Sequence, residues 1–180
     1  MEPEPLVDTV TLGRAASSTS VGFDEFYLSE MGRLVALARS LAGVAVAEDI
    51  AQEAMLVAYR RWREVGALQR PDLWVRRTCA NMAVSQFRRR VAELRATTRL
   101  TRRRPDATPE PMSERAEEFW DAVRTLPHRQ AQAAALRFVY DMPIAEIAET
   151  LGCSAGTVKQ HLSRARQALS VALDLQDRSD

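Results

Sequence analysis

Apolar residues recur along this chain at the spacing of helices, and nowhere do they alternate in the two-residue rhythm of a strand. Phe23, Phe26, Tyr27, Leu34, Leu37, Ala38 and Leu41 share one side of a first predicted helix. A second runs from about Ala47 to Val65, with Ile50, Ala51, Ala54, Met55, Ala58 and Trp62 on its apolar face and Gly66 as the expected stop. A third starts at Pro71, a favoured first-turn residue, and continues to about Val91. Between Ala96 and Met112 the period is lost and three prolines appear, the composition of a flexible linker. Helicity resumes near Ser113, an expected N-cap with acids behind it. Leu126-Pro127 interrupts it, a further helix spans His128–Tyr140, and Asp141-Met142-Pro143 turns the chain into a final helical pair, Ile144 to Leu169. The expectation is an all-α protein of two small helical domains. Residues 1–20 form a polar, disordered tail, 21–95 the first domain, 96–112 the linker and 113–175 the second domain.

The final pair carries a sharper pattern than helicity alone. Ile144, Ile147, Ala148 and Leu151 make the apolar face of a short helix, and Ala148 is small where a second helix would cross closely. Gly152 permits the backbone of a tight turn, and Ser154 is a good N-cap for the second helix of the pair. In that second helix Val158, Leu162, Ala165 and Leu169 lie inward. Gly156, Gln160, Ser163 and Gln167 point away, with Thr157, Lys159 and Arg164 on the flanks. Small residue, glycine, cap and inward valine at these spacings predict a helix-turn-helix, whose second helix enters the major groove of DNA. Lys159 and Gln160 suit guanine and adenine edges, while Thr157, Arg164 and Arg166 suit phosphates. The plainer alternative is an ordinary helical hairpin.

Charge adds a second candidate surface. The chain has 180 residues and a net charge of +1, which by itself points to no partner. From Ala67 to Arg104, however, eleven arginines face two acids, a local net of +9, whereas Pro105–Pro127 carries a net of −4. All but one of the 25 basic residues are arginine, Lys159 being the exception, which fits phosphate and base contacts but equally a G+C-rich coding sequence. On the third helix Val75, Cys79, Met82 and Gln86 fall on one side and Arg77, Asn81, Val84 and Arg88 on the other. The second stripe is a candidate nucleic-acid face or simply a solvated one. Trp62 and Trp74 flank an expected loop, Arg63–Leu73, so they can serve as stacking platforms for unpaired bases or as core residues.

Several classes of chemistry find no support. The two histidines, His128 and His161, and the two cysteines, Cys79 and Cys153, have no metal-ligand spacing, and no glycine-rich phosphate loop appears. The cysteines are expected to be small reduced core residues. No metal, cofactor or enzymatic activity is expected. No apolar run is long enough to cross a membrane and the acidic N-terminus is unlike a signal peptide, so the expected location is the cytoplasm.

Three segments together resemble bacterial RNA polymerase sigma factors of the extracytoplasmic-function type, over about residues 21–172. AEDIAQEAMLVAYRRW (Ala47–Trp62) resembles the region-two helix that grips the polymerase clamp. PDLWVRRTCANMAVSQFRRR (Pro71–Arg90) resembles the promoter-melting part of region two. TLPHRQAQAAALRFVYDMPIAEIAETLGCSAGTVKQHLSRARQAL (Thr125–Leu169) resembles region four. The resemblance implies core RNA polymerase as partner, through the clamp coiled coil and the flap of its large subunits, together with promoter DNA and an anti-sigma factor. It implies that Asp49, Gln52 and Glu53 face the clamp, and that Trp74, Arg77, Asn81 and Arg88 hold the melted −10 element. It further implies that Thr157, Lys159, Gln160, Ser163, Arg164 and Arg166 contact the −35 element. Two positions depart from the family pattern. Met142-Pro143 stands where a polar cap is usual, and His161 where arginine is frequent. The alternative function is a helix-turn-helix regulator that binds DNA alone.

Overall fold

The computed structural model describes residues 22–97 and 114–176, and among them every regular element is helical. The helices are α1 (Phe23–Ala42), α2 (Ala47–Arg60), α3 (Trp62–Val65), α4 (Pro71–Thr97), α5 (Glu114–Thr125), α6 (His128–Tyr140), α7 (Ile144–Leu151) and α8 (Ala155–Gln176), with a 3-10 turn at Val44–Val46. The expected tail at 1–20, the cap at Ser113 and all but the first two residues of the expected linker lie outside the described residues. None of the described helices is long and apolar enough to cross a membrane.

The first group is α1, α2 and α4 packed on one another, with α3 closing one end. Leu34 and Leu37 of α1, Ala51 and Met55 of α2, and Leu73, Val75 and Cys79 of α4 are almost wholly buried. Removing a leucine or valine side chain from water stabilises the fold by about 1.5–3 kcal/mol each. The expected continuous second helix is broken at Arg61, where φ −112° and ψ 21° leave the helical region. The break turns the Trp62 ring onto Phe23 and Phe26, at centroid distances of 5.2 and 5.0 Å. Trp62 is therefore a core residue. Gly66 is needed for closeness rather than for an unusual φ, because a Cβ there would lie 2.8 Å from the Trp62 carbonyl oxygen and 3.0 Å from its ring.

The second group is built on α6 and α8, with α5 and α7 packed around them. Ala131, Ala133, Ala134, Ala135 and Leu136 are all buried, so α6 is covered around most of its circumference. A helix that is apolar nearly all round belongs between two bodies rather than at a surface. On one side α6 meets α7 and α8, and on the other it meets α1 and α4.

Polar bonds tie the two groups together. Arg124 of α5 donates from Nη2 to the Arg39 carbonyl (3.0 Å) and from Nε to the Ser40 carbonyl (3.2 Å), capping the C-terminal end of α1. Arg39 bonds Glu117 at 2.9 Å. Within the first group Arg76 makes a paired contact with Glu30 at 2.6 and 3.0 Å and reaches Asp72 at 3.1 Å.

Candidate nucleic-acid interface

The helix-turn-helix forms as its residues predict. α7 ends at Gly152, which takes the left-handed conformation (φ 65°) that a side chain would strain. The Gly152 N–H donates to the Glu149 carbonyl and the Cys153 N–H to the Ala148 carbonyl, at 3.2 and 3.0 Å, which satisfies the last carbonyls of α7. Ser154 then caps α8, its hydroxyl accepting the Thr157 N–H at 3.1 Å. At the other end of α7 no side chain caps the helix. Met142 and Ile147 instead stand one before the cap and four after it, and both are buried, the register of a hydrophobic staple. The departure at Met142-Pro143 thus replaces a polar cap with an apolar clasp.

On α8 the two stripes separate cleanly. Val158, Leu162, Ala165 and Leu169 are buried, while Lys159, Gln160, Ser163, Arg164 and Arg166 are exposed. Thr157 is half-buried, and its hydroxyl lies 2.9 Å from that of Ser154. The exposed row therefore begins one turn inside the capped end, where a helix entering a groove meets base edges. His161 lies beside this row. Burial, then the charges of Arg129 and Arg164, hold its pKa below the ordinary value.

The other candidate stripe has a different setting. Trp74 is half-buried, with the Arg61 guanidinium 5.7 Å from its ring centre. Asn81 accepts a hydrogen bond at Oδ1 from Gln132 Nε2 at 2.8 Å. Arg77 abuts the turn of the helix-turn-helix, since a Cβ at Gly152 would lie 3.0 Å from its Nη1. Val84 is buried, and Arg88 is exposed. The stripe lies opposite Val75 and Cys79, as the spacing predicts, yet α6 and α7 pack against its Asn81 and Arg77. Cys79 is fully buried and burial pushes its thiol up to about 12, whereas Cys153 is only half-buried.

Asp49, Gln52 and Glu53 are exposed on α2, on the side away from Ile50 and Ala54. They share a shallow cleft with Phe23, Tyr27, Leu56 and Tyr59. Acids beside exposed apolar groups make a surface suited to a protein rather than to DNA.

Sequence reasoning missed the buried ion pair inside the first group and the helix that joins the two groups. Glu30 sits on the apolar stripe of α1, between Phe26 and Leu34, which signals a buried partner; that partner is Arg76. Burial works against the Arg76 charge, but Glu30 and Asp72 outweigh it and raise its pKa. The alanine-rich sequence of α6 signals a helix covered on several sides, with Gln132 as its one fully buried polar residue.

With the fold and stripes in place, comparison with known proteins is informative. Residues 116–169 match the family model "Sigma-70, region 4". The chain is 32% identical over 161 residues to the RNA polymerase sigma-E factor of Streptomyces coelicolor, covering 87% of this chain and 90% of that protein. It is 28% identical over 144 residues to the ECF RNA polymerase sigma factor SigW of Bacillus subtilis, covering 73% and 77% of the two chains. Among solved structures it resembles the sigma factor RpoE of Bartonella quintana, crystallised with the anti-sigma factor NepR, with a TM-score of 0.65 and 26% identity over 84% of this chain and 96% of that one. The chain belongs to the RNA polymerase sigma factors, of the extracytoplasmic-function type.

Proposed function

We propose that this sigma factor joins core RNA polymerase in the cytoplasm and divides promoter recognition between its two helical groups, residues 21–95 and 113–175. In this reading α8 enters the major groove of the −35 element, where Lys159, Gln160 and Ser163 meet base edges. Thr157, Arg164 and Arg166 fix the register on phosphates. The α4 stripe holds the melted −10 element, Trp74 and Asn81 engaging unpaired bases and Arg77 and Arg88 their backbone. Asp49, Gln52 and Glu53 meet the polymerase clamp, and the second group meets the flap. The chain does no bond chemistry; it supplies position and base capture, offsetting the few kcal/mol that unstacking each base costs. An anti-sigma partner belongs to the same proposal, supported by the Bartonella relative solved with one.

The observation that carries this reading is the exposed polar row of α8, held behind the Ser154 cap by four buried side chains. The test is run-off transcription from a promoter library, with and without core polymerase, beside a gel shift of duplex DNA. A sigma factor yields transcript only with core and shifts duplex poorly alone. A regulator acting alone would shift duplex without core and give no transcript, and that result would overturn the proposal.

A further inference from the structure

The break at Arg61 has a second consequence besides turning Trp62 inward. It carries the Arg61 side chain to the first turn of α4, where its guanidinium lies over the Trp74 ring, 5.7 Å from the centre. That is within the reach, about 6 Å, of a cation–π contact. Glu64 of α3, three residues on, holds the guanidinium there. Its Oε2 accepts from Arg61 Nη2 at 2.7 Å and from Nε at 3.1 Å. Nη1, the remaining nitrogen, has no partner among the described residues. Both side chains stay open to a ligand, Arg61 being 45% and Glu64 68% exposed. Two turns along α4, Asn81 stands on the same side as Trp74. We propose that Arg61 is a specificity-determining residue of the −10 contact, sharing the Trp74 ring with an unpaired base and donating from Nη1 to an acceptor on that base's edge. This rests on the assignment of Trp74 to unpaired bases made under Proposed function.

Three features favour reading a base over neutralising a phosphate. A guanidinium is flat, so it and a base can lie side by side on an indole, and the hydrogen bonds between them then run in the shared plane. The two bonds to Glu64 fix the guanidinium, so its free N–H groups keep one direction. A fixed donor discriminates between base edges, whereas a swinging cation serves any phosphate equally. Glu64 also cancels the Arg61 charge, which leaves the pair little net attraction for a polyanion. What the pair adds is therefore directional: a donor at Nη1 beside a carboxylate, set at the rim of an aromatic platform. Sequence gives no hint of the arrangement, since Arg61 and Trp74 meet only because the helix breaks between Arg60 and Trp62.

The test selects active promoters from a library randomised across the −10 element, using core polymerase with the full-length chain. Wild type is compared with Arg61→Ala, Arg61→Lys, Glu64→Ala and Asn81→Ala, each checked for helicity by circular dichroism. Arg61→Ala should flatten the base preference at one −10 position about five- to a hundredfold and leave the −35 preference unchanged. Arg61→Lys should lose the same preference, because an ammonium neither stacks as a plane nor keeps the fork on Glu64. Glu64→Ala should weaken it less, about two- to fivefold. A uniform loss over all −10 sequences that Arg61→Lys restores would make Arg61 a phosphate contact and overturn the proposal, as would an unaltered motif in both Arg61 variants. Asn81→Ala separates this inference from the reading beneath it. If Asn81→Ala weakens −10 selection while the Arg61 variants do not, the role of Arg61 falls alone. If none of the variants alters −10 selection, the assignment of the α4 stripe falls with it.

Discussion

Helices α4 and α8 are built to one plan and placed in opposite settings. Each is long, with an apolar stripe toward its own group and a second stripe on the far side, which on α4 mixes polar residues with the buried Val84. On α8 the far stripe faces water, because nothing packs over Lys159, Gln160, Ser163 and Arg164. On α4 the far stripe meets a second body that supplies matching polar groups, Gln132 for Asn81 and the Gly152 turn for Arg77. A stripe of the same kind is thus open to solvent on one helix and packed against a second body on the other.

The largest effect should come from the covered side. Arg76 and Glu30 are 8% and 10% exposed as side chains and bonded to each other, so Arg76→Ala leaves Glu30 buried without its cation. Stability should fall by about 3–5 kcal/mol, measured by urea unfolding. A loss below about 1 kcal/mol would mean that water already reaches the pair and that the α1–α4 seam is looser than the bonded pair implies. On the open side, Ser154→Ala removes the cap that starts α8 and should cost about 1 kcal/mol in the same assay. Its effect should appear as fraying of the first α8 turn in hydrogen exchange, with α4 unaffected.

The smallest effect is set by pH. Burial, followed by Arg129 and Arg88, lowers the pKa of His128, and burial, followed by Arg129 and Arg164, lowers that of His161. Above the ordinary value of 6.5 both are neutral, folded or unfolded. As pH falls below it the unfolded chain takes up protons that the folded chain resists, so stability is lost from there down through the folded values. Melting temperature should therefore decline between about pH 7 and pH 5, and the slope should flatten in His128→Gln and His161→Gln. Because Arg88 belongs to α4, the His128 share reports on the junction between the groups, whereas the His161 share reports on the packing of α8 against α6. A slope unchanged by either substitution would show that other groups carry the dependence.

The helix-turn-helix was legible in the sequence because its rules are local. Gly152, Ser154 and Val158 lie within one turn of the backbone geometry they determine. The break at Arg61 was not legible, because it is set by the Trp62 ring reaching Phe23 and Phe26 some forty residues earlier. The covering of α4 was also out of reach, for a related reason. A polar stripe reads as solvated unless its partners are known, and Gln132 lies fifty-one positions from Asn81. The signal was present on the partner, in an alanine-rich α6 too apolar for a surface helix.

The central claim, that the two stripes read different parts of one promoter, is tested most directly by selecting active promoters from a randomised library with core polymerase and each variant. Lys159→Ala and Gln160→Ala should alter the preferred −35 sequence, each lost base contact costing about 1–3 kcal/mol, and leave the −10 preference intact. Asn81→Ala should leave the −35 preference intact and weaken selection and melting at −10. Identical motifs from all variants, or a −35 change produced by Asn81→Ala, would contradict the account.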